Sequence, residues 1–225
     1  MFVSIITPTY NRAHFFPRLL EGYLHQTYPR DQMEWIILDD SEGSNPFLSK
    51  LQDPTIRYIT LNEKKPMGAK LNLLTKEARG DLIIVMDDDD YYPPERIETA
   101  VRAFAENPQL DVAGCSKVYM YSTATNEIYV AGPYHERHAL NCTMAFRRKY
   151  LDTHAYDDAE PCAVERVFTN NFTEPMIQLP SKETILHIIH SSNTFQAKMS
   201  IGKLVKTACV LEDFIGSNLI CYYKI

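Results

Sequence analysis

Over the first hundred residues, compact apolar runs alternate with segments whose apolar residues recur at helical spacing. "FVSIIT" (2–7) is a β-branched run that predicts a buried strand. "PTYNR" breaks it. "AHFFPRLLEGYLHQTYP" then sets Phe15, Leu19, Leu20, Tyr23 and Leu24 on one helical stripe, with Pro17 early enough for a helix to tolerate. "MEWIILDD" (33–40) predicts a second strand ending in carboxylates, "TIRYITL" (55–61) a third and "DLIIVM" a fourth. "AKLNLLTKEARG" predicts a helix stopped by Gly80, and "PPERIETAVRAFAEN" a helix opened by proline. Near-continuous apolar strands with helices between them imply an α/β fold, its mostly parallel central sheet covered on both faces.

Beyond residue 107 the pattern changes. "DVAGCSKVYMYSTATNEIYVAG" reads as strands around a turn near Asn126. No Pro/Gly/Ser linker and no repeat divides the chain, so one domain is expected over 1–225. Residues 1–107 form a nucleotide-binding type of half and 108–193 a mixed half. Residues 194–225 read as a helical tail whose abrupt end at "LICYYKI" suggests a chain that continues.

Composition narrows the function classes. The 225 residues are 45% hydrophobic, enough to bury a core. Net charge is −6, and the absence of a Lys/Arg run argues against a nucleic-acid partner. Five scattered cysteines without a C-x-x-C pair point to a reducing compartment, hence a cytoplasmic location, and away from a zinc ribbon or a disulfide framework. No signal peptide opens the sequence, and no apolar run approaches the ~20 residues of a membrane helix.

In open parallel sheets ligands bind beyond the carboxyl ends of the strands. Three polar clusters fall at such ends: Thr7, Pro8, Thr9, Tyr10, Asn11 and Arg12; Asp39 and Asp40; and the run Asp87, Asp88, Asp89, Asp90. Neighbouring loops add Lys64, Lys65, Lys70 and Asn72. Four adjacent carboxylates repel one another unless something relieves the charge. A divalent cation, Mn²⁺ or Mg²⁺, takes carboxylate and phosphate oxygens together, so the rim suits a metal–diphosphate complex.

"VSIITPTYNRAHFFPRLLEGYLHQTYP", "WIILDDSEGS" and "GAKLNLLTKEARGDLIIVMDDDDYYPPERI" resemble the family 2 nucleotide-sugar glycosyltransferases of GT-A fold, closely over residues 2–100 and more loosely at "ERVF" and "IIHSSNTF". The resemblance implies transfer of a sugar from a nucleoside-diphosphate sugar, a UDP-sugar favoured, to a hydroxyl of a glycan, glycoconjugate or protein acceptor, with inversion. It implies that Thr7, Pro8 and Asp40 hold the nucleobase, with Tyr10 and Arg12 near the same pocket. Lys65 or Lys70 would meet the diphosphate, and Asp88 the ribose. The "DDDD" run overlays the family's D-x-D motif, its register open by one residue: Asp89 ligates the metal, Asp87 stands behind it and Asp90 caps the next turn. Of the two base candidates in "DDAEPCAVERVFTNNF", Glu165 fits the family's helical position better than Glu160, although Val164 replaces the first residue of the usual acidic doublet. A late histidine serves several GT-A families as a metal ligand, which implies His190.

Alternation sets His187 on the opposite strand face, as a core residue. His135 and His138 read as a loop near the acceptor entrance, and Trp35 as core. Two alternatives stay open: an inactive nucleotide-sugar-binding module, favoured by the missing doublet, and a nucleotidyltransferase, disfavoured because "TPTYNRAHF" lacks glycine.

Overall fold

The computed structural model describes residues 1–193, 204–217 and 219–223. Its main sheet has seven strands in the order β3-β2-β1-β4-β8-β5-β9. These are β1 (Val3–Thr9), β2 (Met33–Asp39), β3 (Ile56–Thr60), β4 (Leu82–Val85), β5 (Val112–Gly114), β8 (Ala145–Arg147) and β9 (Ile177–Gln178). Strands β3, β2, β1 and β4 run parallel, while β8 is antiparallel to both β4 and β5. Every residue of β1, β2 and β4 is buried, as strands covered on both faces and rich in apolar residues require.

Alternate residues of each strand feed different layers. Ile5, Trp35, Ile37 and Ile84 pack beneath α1 (Phe16–Leu24) and α3 (Arg96–Glu106), against Phe16, Leu19, Ala100 and Phe104. Ile6, Ile36, Leu38 and Ile83 pack beneath α2 (Met67–Glu77), against Leu71 and Leu74. Trp35 is core as expected, its indole N–H donating to the Thr7 hydroxyl at 2.9 Å. Truncating a ring buried this deeply, Trp35 or Phe104, costs about 3–5 kcal/mol.

A second sheet, β10-β6-β7-β11, stands beside the first. It comprises β6 (Val118–Ser122), β7 (Glu127–Ala131), β10 (Leu186–Ile189) and β11 (Val205–Lys206). Asn126, at φ 55°, makes the β6–β7 turn. Tyr91 and Leu186 exchange backbone hydrogen bonds of 3.1 and 2.9 Å, which fastens the aspartate loop after β4 to the start of β10. That clasp carries the late histidines to the rim.

Two expectations change. Gly80 does not stop α2, which ends at Glu77. A Cβ on Gly80 would meet the Ser4 backbone nitrogen at 2.4 Å, so the glycine answers to close chain packing. The tail is the second. Residues 194–203 lie outside the described residues, and the chain after them forms β11 and two short 3₁₀ turns, Leu211–Asp213 and Ile220–Tyr222, in place of a long helix. Leu211, Ile215, Leu219 and Tyr223 cover β6 and β10.

Candidate active site

The carboxyl ends of β1, β2 and β4 meet at one rim. Asp40, just past β2, is buried, and both its oxygens are engaged: the Lys65 backbone N–H donates to Oδ2 at 2.8 Å and the Lys70 ammonium to Oδ1 at 2.9 Å. Lys70 also donates to the Thr9 carbonyl at 3.2 Å. Beside this pair opens a cavity of about 430 Å³, lined by Tyr10, Asp40, Ser41, Thr60, Leu61 and Lys64 among others. The Lys64 ammonium sits 4.0 Å from the Tyr10 ring centre, a cation–π contact on the one aromatic wall. The Lys65 ammonium turns outward to Glu63 at 2.6 Å. The Thr7 hydroxyl faces inward and donates to the Met86 carbonyl at 2.7 Å, so only its backbone and that of Pro8 can serve a ligand.

The aspartate run is a graded set. Asp88 accepts from the Thr9 hydroxyl at 2.6 Å and from Arg12 at 2.9 Å. Arg12 also bonds Asp89, so it belongs to the aspartates and not to the cavity near Tyr10 where it was expected. Burial pushes Asp87 well above the usual carboxylate range, with the charges of Asp90, Asp89 and Asp88 adding to it. Burial and the Asp89 charge push Asp88 up to about 6 against the pull of Arg12 and Thr9. Asp89 goes the other way. Burial raises it, but the His190 hydrogen bond and the charge of Arg12 hold it below the ordinary value. Asp87, Asp88 and Asp89 therefore differ in proton affinity along one rim.

His190 and its neighbour Asn193 close over Asp89. Asp89 Oδ2 lies 3.2 Å from His190 Nε2 and 3.2 Å from the Asn193 amide. Asp90 is no turn cap. It accepts the Ile188 backbone N–H at 2.9 Å and lies 2.8 Å from His187 Nδ1. His187 is thus not a plain core residue. Strict alternation fails because β10 ends at Ile189, after which the chain bends and brings His190 back to the same cluster.

Glu165 opens α4 (Glu165–Phe168) and is 9% exposed. Burial raises its carboxyl above the usual glutamate value, offset only by its own backbone N–H. Its charge, with that of Asp87, adds to the raised proton affinity of Cys142 and Tyr156. Ala163, at φ 54°, turns the chain sharply just before it. Glu160 is half-buried in a separate hollow with Cys162, Arg166 and Asn171. The structure brings Tyr10, Asp40, Lys65 and Lys70 together, and Arg12, Asp87, Asp88, Asp89 and His190 together; Glu160 stands apart. His135 and His138 lie with Tyr134 and Phe172 in an aromatic group, His138 stacked on Phe172 at 4.6 Å.

The rim gathers these polar residues at the carboxyl ends of parallel strands, and the family model described as glycosyl transferase family 2 matches residues 4–168. This chain belongs to glycosyl transferase family 2. Among curated relatives it is 27% identical over 114 residues to the poly(ribitol-phosphate) beta-N-acetylglucosaminyltransferase TarS of Staphylococcus aureus (strain Mu50), covering 48% of this chain and 20% of TarS. It is 33% identical over 99 residues to the putative colanic acid biosynthesis glycosyl transferase WcaA of Escherichia coli K12, covering 42% and 35%. The chain spans well under half the length of these relatives. The fold is that of GT-A glycosyltransferases. A crystal structure of S. aureus TarS 1–349 with UDP-GlcNAc superposes with a TM-score of 0.70 at 19% identity, over 89% of this chain and 62% of that one. The mannosyltransferase PcManGT from Pyrobaculum calidifontis, with GDP-Man and Mn²⁺, gives 0.65 at 17%, over 87% and 59%.

Asp89 and His190 fit a divalent cation. A buried carboxylate held ionised faces an imidazole nitrogen 3.2 Å away, and both donors suit Mn²⁺. Asp88 has both oxygens tied to Thr9 and Arg12, and burial raises the proton affinity of Asp87, so within the run Asp89 offers the better donor for a cation.

Proposed function

We propose that this chain transfers a sugar from a UDP-sugar to an acceptor hydroxyl with inversion, assisted by Mn²⁺ or Mg²⁺ at Asp89 and His190. The observation that carries the reading is the single rim on which Asp40, Asp88, Asp89 and His190 converge. Asp40 accepts from the ring N–H of the uracil, and the Tyr10 ring supplies the stacking wall once Lys64 moves off it. Asp88 holds the ribose. Lys65 is the lysine that turns to the diphosphate, because its surface pair with Glu63 is worth little and Lys70 is committed to Asp40. The bound cation supplies neutralisation of the charge that grows on the departing diphosphate.

Glu165 takes the proton of the acceptor hydroxyl as that oxygen attacks the anomeric carbon from the face opposite the nucleotide. Its raised proton affinity suits a base working near neutral pH. The TarS neighbours were solved with UDP and UDP-GlcNAc, which favours uridine donors. Cys115 and Cys142 are buried thiols outside any disulfide, consistent with a reducing, cytoplasmic setting. Among the described residues no helix is long and apolar enough to cross a membrane. A panel of UDP-, GDP- and dTDP-sugars with Mn²⁺, scored for nucleotide release with and without acceptors, tests the reading. UDP release from one UDP-sugar supports it; release from none, with acceptors supplied, turns the reading to a binding module.

A further inference from the structure

Directly behind the aspartate rim lies a set of groups that sugar transfer leaves unused. A carboxylate oxygen of Asp90, the Cys142 sulfur and a ring nitrogen of His187 all lie within 4.8 Å of one another. They come from three distant parts of the chain: the loop after β4, the turn Asn141–Thr143, and β10. Part of their polar capacity is open. Asp90 is 1% exposed and its Oδ2 has no hydrogen-bond partner. His187 Nδ1 pairs with Asp90 Oδ1 at 2.8 Å, which leaves Oδ2 and the Cys142 sulfur facing the same space. An unpartnered buried carboxylate oxygen costs free energy unless something binds it.

We propose that Asp90, Cys142 and His187 form a second metal site, one that takes a thiophilic divalent cation of the Zn²⁺ class. Sulfur, imidazole and carboxylate are the three donor types zinc accepts, and three protein donors leave a fourth position for water. Atoms sharing one zinc at ~2.0–2.3 Å sit roughly 3–4 Å apart, so small side-chain rotations close the 4.8 Å triangle. Binding releases the thiol proton of Cys142 to solvent, and the imidazole binds in its neutral form. His187 keeps an edge at the surface, which gives the ion its way in. The softness of the thiolate separates this site from the one at Asp89 and His190, where a carboxylate, an imidazole and phosphate oxygens favour harder ions. A bound zinc would pin the aspartate loop to β10 independently of any nucleotide.

The test needs neither nucleotide nor activity, so its failure leaves the sugar-transfer reading standing. The metal-free chain is titrated with Zn²⁺ alone against a chromophoric chelator, and separately with Co²⁺ while the near-ultraviolet spectrum is recorded. The expected result is tight zinc binding and a thiolate-to-cobalt charge-transfer band. Cys142→Ser should abolish the band and weaken zinc binding at least about a hundredfold, since loss of an outer-shell partner alone costs 10–100-fold. His187→Gln should weaken binding and keep the band, and Asp89→Asn should keep both. Zinc affinity unchanged in Cys142→Ser, or no thiolate band in the wild-type chain, would overturn the site. If Cys142→Ser does not fold, mass-spectrometric mapping of the thiol that zinc shields from alkylation decides: Cys142 supports the proposal and any other cysteine refutes it.

Discussion

Asp89 and Glu165 are both buried carboxylates, and their proton affinities move in opposite directions. Asp89 is surrounded by donors: Arg12, His190 and Asn193 converge on one oxygen. Glu165 has burial and little else. Desolvation penalises the charge of each, and only Asp89 has partners that outweigh it. In the proposed reaction this difference would let one acid stay ionised to hold a cation and the other accept a proton.

Breaking the proton-accepting side should give the largest effect. Glu165→Gln is expected to lower turnover about a thousandfold, within the usual range for a general base, with donor affinity unchanged by calorimetry. Normal turnover in that variant would move the base elsewhere. The wild-type acid limb should lie above the ordinary glutamate value, because activity is lost as pH falls through the raised value. Linkage gives the stability sign. The fold holds the Glu165 proton more tightly than the unfolded chain does. Its contribution is therefore best below the ordinary glutamate value and declines as pH rises through the folded one. Glu165→Gln should accordingly raise the melting temperature at pH 8 relative to wild type and not at pH 4.

Next in size is Asp40→Ala. Asp40 and Lys70 are a buried ion pair, so losing the carboxylate strands the lysine at a cost of about 3–5 kcal/mol. A urea midpoint equal to wild type would show the pair to be idle. Asp40→Asn is the milder variant for reading nucleotide affinity. Tyr10→Ala should weaken UDP binding by about 1–3 kcal/mol, the range for a base stacked on an aromatic ring. Lys65→Ala should cost least, roughly 1 kcal/mol of donor affinity, with the loss fading at high salt.

The fold of residues 1–107 was legible because its strands are buried on both faces and end in polar residues, a signal local to each segment. Trp35 and the Asn126 turn were read on similar local grounds, while the helical place of Glu165 came from the family resemblance. What escaped depends on long-range contact. Arg12 reaches Asp88 and Asp89 across some 76 residues of chain, and no local pattern separates that from a place beside Tyr10. Alternation misjudged His187 because it assumes that the strand continues through His190. Gly80 resembles a helix stop, yet its reason is a backbone contact with Ser4. Asn193 and Cys142 carried no signal at all until β10 and the Asn141–Thr143 turn met the aspartates.

Calorimetric titration of UDP into wild type and Asp89→Asn, each with Mn²⁺ and again in EDTA, tests the proposed cation site most directly. Wild type should bind UDP at least about tenfold more tightly with Mn²⁺, and Asp89→Asn should bind it equally weakly in both conditions at a temperature where circular dichroism shows it folded. Equal UDP affinity of the wild-type chain with and without the metal would contradict the account.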